Sequence, residues 1–194
     1  MARPKEFDRN VAVERAMSVF WRQGYAATST DDLLQAMQVG RQSMYDTFGD
    51  KRRLYLEALA KYQRDSIAMN ISRLRSTSSP LAGIEAMLIG LFASGKAARE
   101  KGCMGINSIS EFGNADADLN TFRAEGARSQ HQAIVEQLRE AQAAGEIGKT
   151  ADVERAAMFV ETTMAGLQIG AKAGTGPKDL RDTASFAIAL LRKT

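Results

Sequence analysis

The chain has 194 residues, 44% of them hydrophobic, 25% charged and only 3 proline, a composition that leaves little room for disorder and suits one domain or two small ones. One cysteine and one histidine exclude an intramolecular disulfide and fall short of a four-ligand Cys/His site, so no metal centre is expected. The net charge of +3 lies wholly in residues 1–64, which hold 11 Lys and Arg against 8 Asp and Glu, while residues 65–194 hold 15 against 15; a positive balance confined to the first third points to a polyanion there.

Apolar residues recur at spacings of three and four almost throughout, and no alternation of period two argues for strands, so the chain reads as all-α. A first helix is predicted over about 8–23, with Val13, Met17 and Phe20 on one face and Gly24 ending it in a left-handed conformation. Ser29, with Asp32 three residues on, has the form of a capping box and opens a short helix over 30–37 that turns Leu33 and Met37 inward. Gln38, Val39 and Gly40 make a tight turn into a third helix over 41–48, which Gly49 and Asp50 close. Asp50 also caps a fourth helix that begins at Lys51 and continues toward Arg75.

The run Ser76 to Ser79 followed by Pro80 is the clearest boundary signal in the chain. It divides the sequence into residues 1–50, a connecting helix over 51–75, and residues 76–194. Further helices are predicted at about 80–99, 103–112, 116–144, 151–173 and 179–193, with glycine-containing breaks between them and Pro177 barring continuation of the penultimate one. No N-terminal apolar run resembles a signal peptide, and no stretch approaches the roughly 18 apolar residues of a membrane span. A cytoplasmic location with no membrane partner is therefore expected.

The third helix concentrates the chemistry. With about 100 degrees per residue, Met44 and Phe48 share a buried stripe, Gln42 and Asp46 point almost opposite, Ser43 and Tyr45 flank them, and Arg41 stands at the N-terminal tip. Two turns of helix are marginal alone, so the preceding helix and turn must hold this one while its polar face stays free. A helix, a short turn and a second helix with a free polar face make a helix-turn-helix, whose second helix enters the major groove. There Arg41, Gln42 and Ser43 can reach base edges, and Tyr45, Thr47 and Lys51 lie where phosphates pass. Asp46 would repel phosphate and reads instead as an acceptor for cytosine N4 or an ion-pair partner for Arg41 or Arg53. Arg3, Lys5 and Arg9 form either an arm that adds charge to the DNA face or a solvated tail.

The run ATSTDDLLQAMQVGRQSMYDTFGDKRRLYLEAL, residues 27–59, with FWRQGYAATS before it, resembles the DNA-binding segment of the TetR (tetracycline repressor) family of bacterial transcription regulators. The likeness includes the ending of Tyr, two residues, Phe, one residue, Asp-Lys, and it covers about Val11 to Leu59. It implies base contacts by Arg41, Gln42 and Ser43 and phosphate contacts by Ser29, Tyr45, Thr47 and Lys51. Two positions depart from the family pattern: Gln38 stands where glycine is common, and Gly40 stands where Ser or Thr commonly opens the recognition helix.

In the second domain Val153, Ala157, Val160, Met164, Leu167 and Ala171 follow a heptad spacing, and Leu180, Ala184, Ala187 and Leu191 repeat it. Each helix also has a second apolar row, Met158 with Phe159 and Phe186 with Leu190, more than one small domain should need. The expectation is a four-helix interface between two copies of this hairpin, which the resemblance also implies. A C-terminal helical effector-binding and dimerisation domain is implied likewise, with effector binding releasing a pseudo-palindromic operator. KGCMGINSISEFG, residues 101–113, is the best candidate for a pocket segment. Cys103, Met104, Asn107 and Phe112, with neighbouring Ile109, would be joined by Phe122, Met158, Phe159 and Met164. Cys103 follows Lys101-Gly102 at a helix start, settings that lower a thiol pKa, and it resembles a Gly-Cys segment of TetR-like regulators that sense electrophiles or oxidants; the other reading is a small buried hydrophobe. His131, in the polar run SQHQ, reads as a surface residue.

No nucleotide loop and no cofactor are expected, since Gly174-Thr175-Gly176-Pro177 lacks the third glycine and a preceding strand. The leading expectation is a ligand-responsive homodimeric regulator, a repressor released from its operator by a small-molecule or electrophile inducer. The alternatives are a cysteine-dependent enzyme with Cys103 as nucleophile and His131 as base, and a non-specific architectural DNA binder.

Overall fold

A computed structural model describes residues 7–194, which form ten α-helices and no strand among the described residues. In chain order these are α1 (Arg9–Gln23), α2 (Thr30–Met37), α3 (Arg41–Phe48), α4 (Lys51–Leu74), α5 (Pro80–Gly90), α6 (Lys96–Lys101), α7 (Met104–Phe112), α8 (Ala117–Ala143), α9 (Val153–Lys172) and α10 (Pro177–Leu191). They belong to two compact units, the described residues up to Arg64 with residues 104–122, and residues 65–103 with 123–194. Helices α4 and α8 each contribute to both.

Local signals set the boundaries in the first unit. Asp8 caps α1 by accepting from the amides of Asn10 and Val11. Gly24 ends it with a positive φ of 82° but an extended ψ of 172°, outside the left-handed helical region expected, and a turn over residues 25–27 follows. The capping box at α2 is complete: the Ser29 hydroxyl accepts from the Asp32 amide, and the Asp32 carboxylate accepts from Ser29. Asp50 accepts from the Arg53 amide and so caps α4. Buried Val13, Ala16, Val19 and Phe20 of α1 meet Leu33 and Met37 of α2, Met44 and Phe48 of α3, and Leu54, Tyr55, Ala58 and Leu59 of α4.

The joint near Pro80 separates α4 from α5, but packing does not follow it. Met104 and Leu119 are buried in the core of the first unit, with Phe112 and Phe122 packed against it. The Phe112 ring lies 5.4 Å from that of Tyr25 and 5.6 Å from that of Tyr55. Arg52 of α4 donates to both oxygens of Asp116 at 2.5 and 2.9 Å, and that salt bridge holds the Asp116 carboxyl down to about 2.

The second unit is built on α5, α8, α9 and α10, with a core that includes Leu81, Ile84, Met87, Leu88, Ile134, Leu138, Val160, Leu167, Leu180 and Ile188. A methyl group at Gly83 would lie 2.0 Å from the Leu74 carbonyl oxygen, so glycine is what lets α5 pass so close to the end of α4. Buried Gln137 donates to that same carbonyl at 2.9 Å. The single helix expected over 80–99 is two, because the chain turns at Leu91 and Phe92, and Gly95, extended at ψ 166°, restarts it as α6. No described helix is long and apolar enough to cross a membrane.

Candidate nucleic-acid interface

The interface is assembled from the short helix α3 and the residues at its two ends. Met44 is fully buried and Phe48 nearly so, which fixes the helix against the first core and leaves the opposite face in solvent. Arg41, Gln42, Tyr45 and Asp46 are exposed, and Ser43 and Thr47 are half-buried at the edges, the disposition that helical periodicity predicts. The turn that enters α3 depends on Gln38, which adopts the left-handed region at φ 58° and ψ 45°. Arg15 of α1 anchors that turn, donating to the Gln38 side-chain oxygen at 2.8 Å and to the Met37 carbonyl at 3.3 Å. Gly40 opens α3 without a side-chain cap, which leaves the first amides of the helix for an anion.

The polar side chains are held by neighbours. Arg41 donates to Asp31 of α2 at 2.6 Å, and both are well exposed. Gln42 donates its side-chain amide to Asp46 at 2.7 Å. The Ser29 hydroxyl is committed to the capping box. Lys51, in the first turn of α4, places its ammonium 4.3 Å from the centre of the Tyr25 ring, a cation–π contact that aims the amine without neutralising it. Tyr45 is 40% exposed.

Asp46 is the acceptor for Gln42, not the ion-pair partner of Arg41 or Arg53; those cations are met by Asp31 and, at 3.8 Å, by Asp50. The four-residue interval between Gln42 and Asp46 was a readable sign of this pair. Arg3 and Lys5 lie outside the described residues. Arg9 is neither arm nor free tail: it begins α1, pairs with Glu57 at 2.5 Å and lies over the Phe48 ring at 5.2 Å. A further contact that short-range patterns did not reveal comes from Glu111 of α7, whose carboxylate accepts from the Tyr25 and Ala26 amides at 2.9 and 2.6 Å. It thereby fixes the turn between α1 and α2.

The residues expected to line an effector pocket are divided between the two units. Met104, Phe112 and Phe122 pack in the first core, Met164 is buried in the second, and Met158 and Phe159 are 61% and 38% exposed on α9. Cys103 and Asn107 are half-buried, and Ile109 is exposed. Ala157, Val160, Met164, Leu167, Leu180, Ala184, Ala187 and Leu191 of the heptad seam are buried within one subunit, with Val153 half-buried beside them. The exposed apolar residues of α9 and α10 are Met158, Phe159, Ile169, Phe186 and Leu190. His131 sits between carboxylates, with Nε2 3.0 Å from Glu154 and Nδ1 3.2 Å from Glu161, and so is not poised as a base for Cys103.

Residues 12–58 match the family model described as bacterial regulatory proteins, tetR family, and residues 80–186 match that of the tetracyclin repressor-like C-terminal domain. The chain is 31% identical over 193 residues to the HTH-type transcriptional regulator YezE of Bacillus subtilis (strain 168), covering 98% of this chain and all of YezE. It is also 31% identical over 193 residues to the HTH-type transcriptional repressor ComR of Escherichia coli (strain K12), covering 97% and 90%. Among solved structures, a cysteine-substituted TetR family regulator CifR in complex with 26-base-pair operator DNA superposes with a TM-score of 0.82 at 27% identity, covering 98% of this chain and all of that one. These relatives are transcriptional regulators, not enzymes.

Proposed function

The chain belongs to the TetR family of bacterial DNA-binding transcriptional regulators, and from that premise we propose that it is a homodimeric cytoplasmic repressor that reads a pseudo-palindromic operator through α3 and leaves it when a small-molecule or electrophile inducer binds. One observation carries this reading: α3 is clamped on its apolar side by Met44 and Phe48 and presents Arg41, Gln42 and Tyr45 to solvent. Arg41 and Gln42, with Ser43 beside them, meet base edges in the major groove. Tyr45, Thr47 and Lys51 meet phosphates and set the register, joined by Ser29 at the start of α2 once its hydroxyl proton turns from Asp32 to a phosphate.

Two copies joined through the exposed rows of α9 and α10 place two recognition helices in successive major grooves, about 34 Å apart. The inducer is taken up by the C-terminal domain, where half-buried Cys103 offers a site for an electrophile. It acts by favouring a state in which the two helices no longer match that spacing. The CifR complex with operator DNA and the name of ComR as a repressor support the reading by likeness.

Selection of genomic fragments by the full-length protein at physiological salt tests it, with an Arg41→Ala/Gln42→Ala double variant in parallel. Enrichment of one palindromic motif by the wild type, lost in the double variant, is the expected result. Enrichment without a motif, equal for both proteins, refutes base reading by α3.

A further inference from the structure

We infer that Asp46 is a specificity-determining residue: its carboxylate locks the Gln42 side chain in the orientation that selects adenine and rejects guanine. The inference rests on the assignment of α3 to the major groove. Gln42 and Asp46 stand one turn apart on the exposed face, and the Gln42 Nε2 donates to an Asp46 carboxylate oxygen at 2.7 Å.

The orientation follows from chemistry. A carboxylate only accepts, so a reversed amide would set its own oxygen against the carboxylate at the same distance. Held as it is, Gln42 has one N–H and its carbonyl oxygen left to present outward. That donor–acceptor pair matches adenine, which offers N7 as acceptor and N6 as donor in the major groove. Guanine offers two acceptors, N7 and O6, and would place O6 against the Gln42 oxygen. An amide free to rotate discriminates less, because it can swing its NH2 group toward the two acceptors of guanine and take its oxygen away from them.

The placement of the acid fits this role. A negative charge on a face that approaches a polyanion weakens phosphate attraction, and the cations close by are engaged elsewhere, Arg41 with Asp31 and Arg53 with Asp50. Asp46 therefore lowers general affinity for DNA while raising discrimination at one base pair.

The test uses full-length wild type, Gln42→Ala, Asp46→Asn and Asp46→Ala on operator libraries randomised through one half-site. The position that Gln42→Ala flattens identifies the base facing Gln42. There the wild type is expected to favour adenine over guanine by about tenfold or more. Both Asp46 variants should reduce that ratio to within about threefold, with unchanged helical content and equal or tighter binding to non-operator DNA. Asp46→Ala guards against Asn supplying its own carbonyl as a substitute acceptor. An unchanged adenine-to-guanine ratio in both Asp46 variants, or a base other than adenine opposite Gln42, overturns the inference while leaving base reading by α3 intact. A wild type that enriches no motif refutes base reading itself, and this inference with it.

Discussion

His131, the chain's one histidine, has both ring nitrogens against carboxylates, Glu154 and Glu161, and Arg139 lies 3.3 Å from Glu154 on the same surface. Hydrogen bonding to Glu154 foremost, and then to Glu161, raises its pKa above the usual imidazole value, because only the protonated ring can donate from both nitrogens. A group whose pKa is higher folded than unfolded adds stability in full below its unfolded pKa, near 6.5, and loses it as pH rises through the folded value. Chemical denaturation between about pH 6 and pH 8 should therefore show wild type losing more stability with rising pH than His131→Gln. Parallel curves for the two proteins would mean that the pair of carboxylates does not couple to folding. The sequence placed His131 on a polar surface but could not show its partners, which lie 23 and 30 residues away. Gln38 was visible as a departure from glycine, and the structure adds what compensates for its left-handed backbone: hydrogen bonds from Arg15, a whole helix earlier.

Short-range patterns fixed the ends of α1 to α4, because a cap lies within three or four residues of what it caps, as Ser29 with Asp32 and Asp50 with Arg53 demonstrate. The partner of α7 was beyond that range. Its apolar side is as compatible with a pocket wall as with a core, and only the fold turns Phe112 toward Tyr25 and Tyr55. On the same helix, exposed Glu111 takes two backbone amides of the α1–α2 turn, a contact across more than eighty residues. Glu111→Ala is expected to weaken that turn by about 1 kcal/mol, the net worth of such hydrogen bonds. Hydrogen exchange at the Tyr25 and Ala26 amides should then quicken by about fivefold, with the Met44 amide in α3 unaffected. No change at Tyr25 and Ala26 would show that Glu111 lies beside the turn without holding it.

A heptad pattern records that residues are buried and not which chain buries them, which is why the seam of α9 and α10 was legible and its role was not. Leu167 and Leu180 lie inside the subunit, while Phe186 at 65% exposure and Met158 at 61% leave apolar surface uncovered. If a second copy covers that surface, Met158→Lys/Phe186→Lys should sediment as a monomer with its helical content kept, and its operator affinity should fall by about a hundredfold for loss of the second half-site. Leu167→Lys, at 2% exposure, should instead unfold the subunit. A double variant that remains dimeric would place the interface elsewhere. At this scale the division into units has a further consequence. The core around Phe20 and Tyr55 is closed by Met104, Phe112, Leu119 and Phe122, residues that follow it by some fifty positions or more. During synthesis the N-terminal helices leave the ribosome well before the segment that completes their core. A nascent chain thus displays the DNA-reading helix on an unfinished scaffold, and transplanting that head onto another regulator requires carrying residues 104–122 with it.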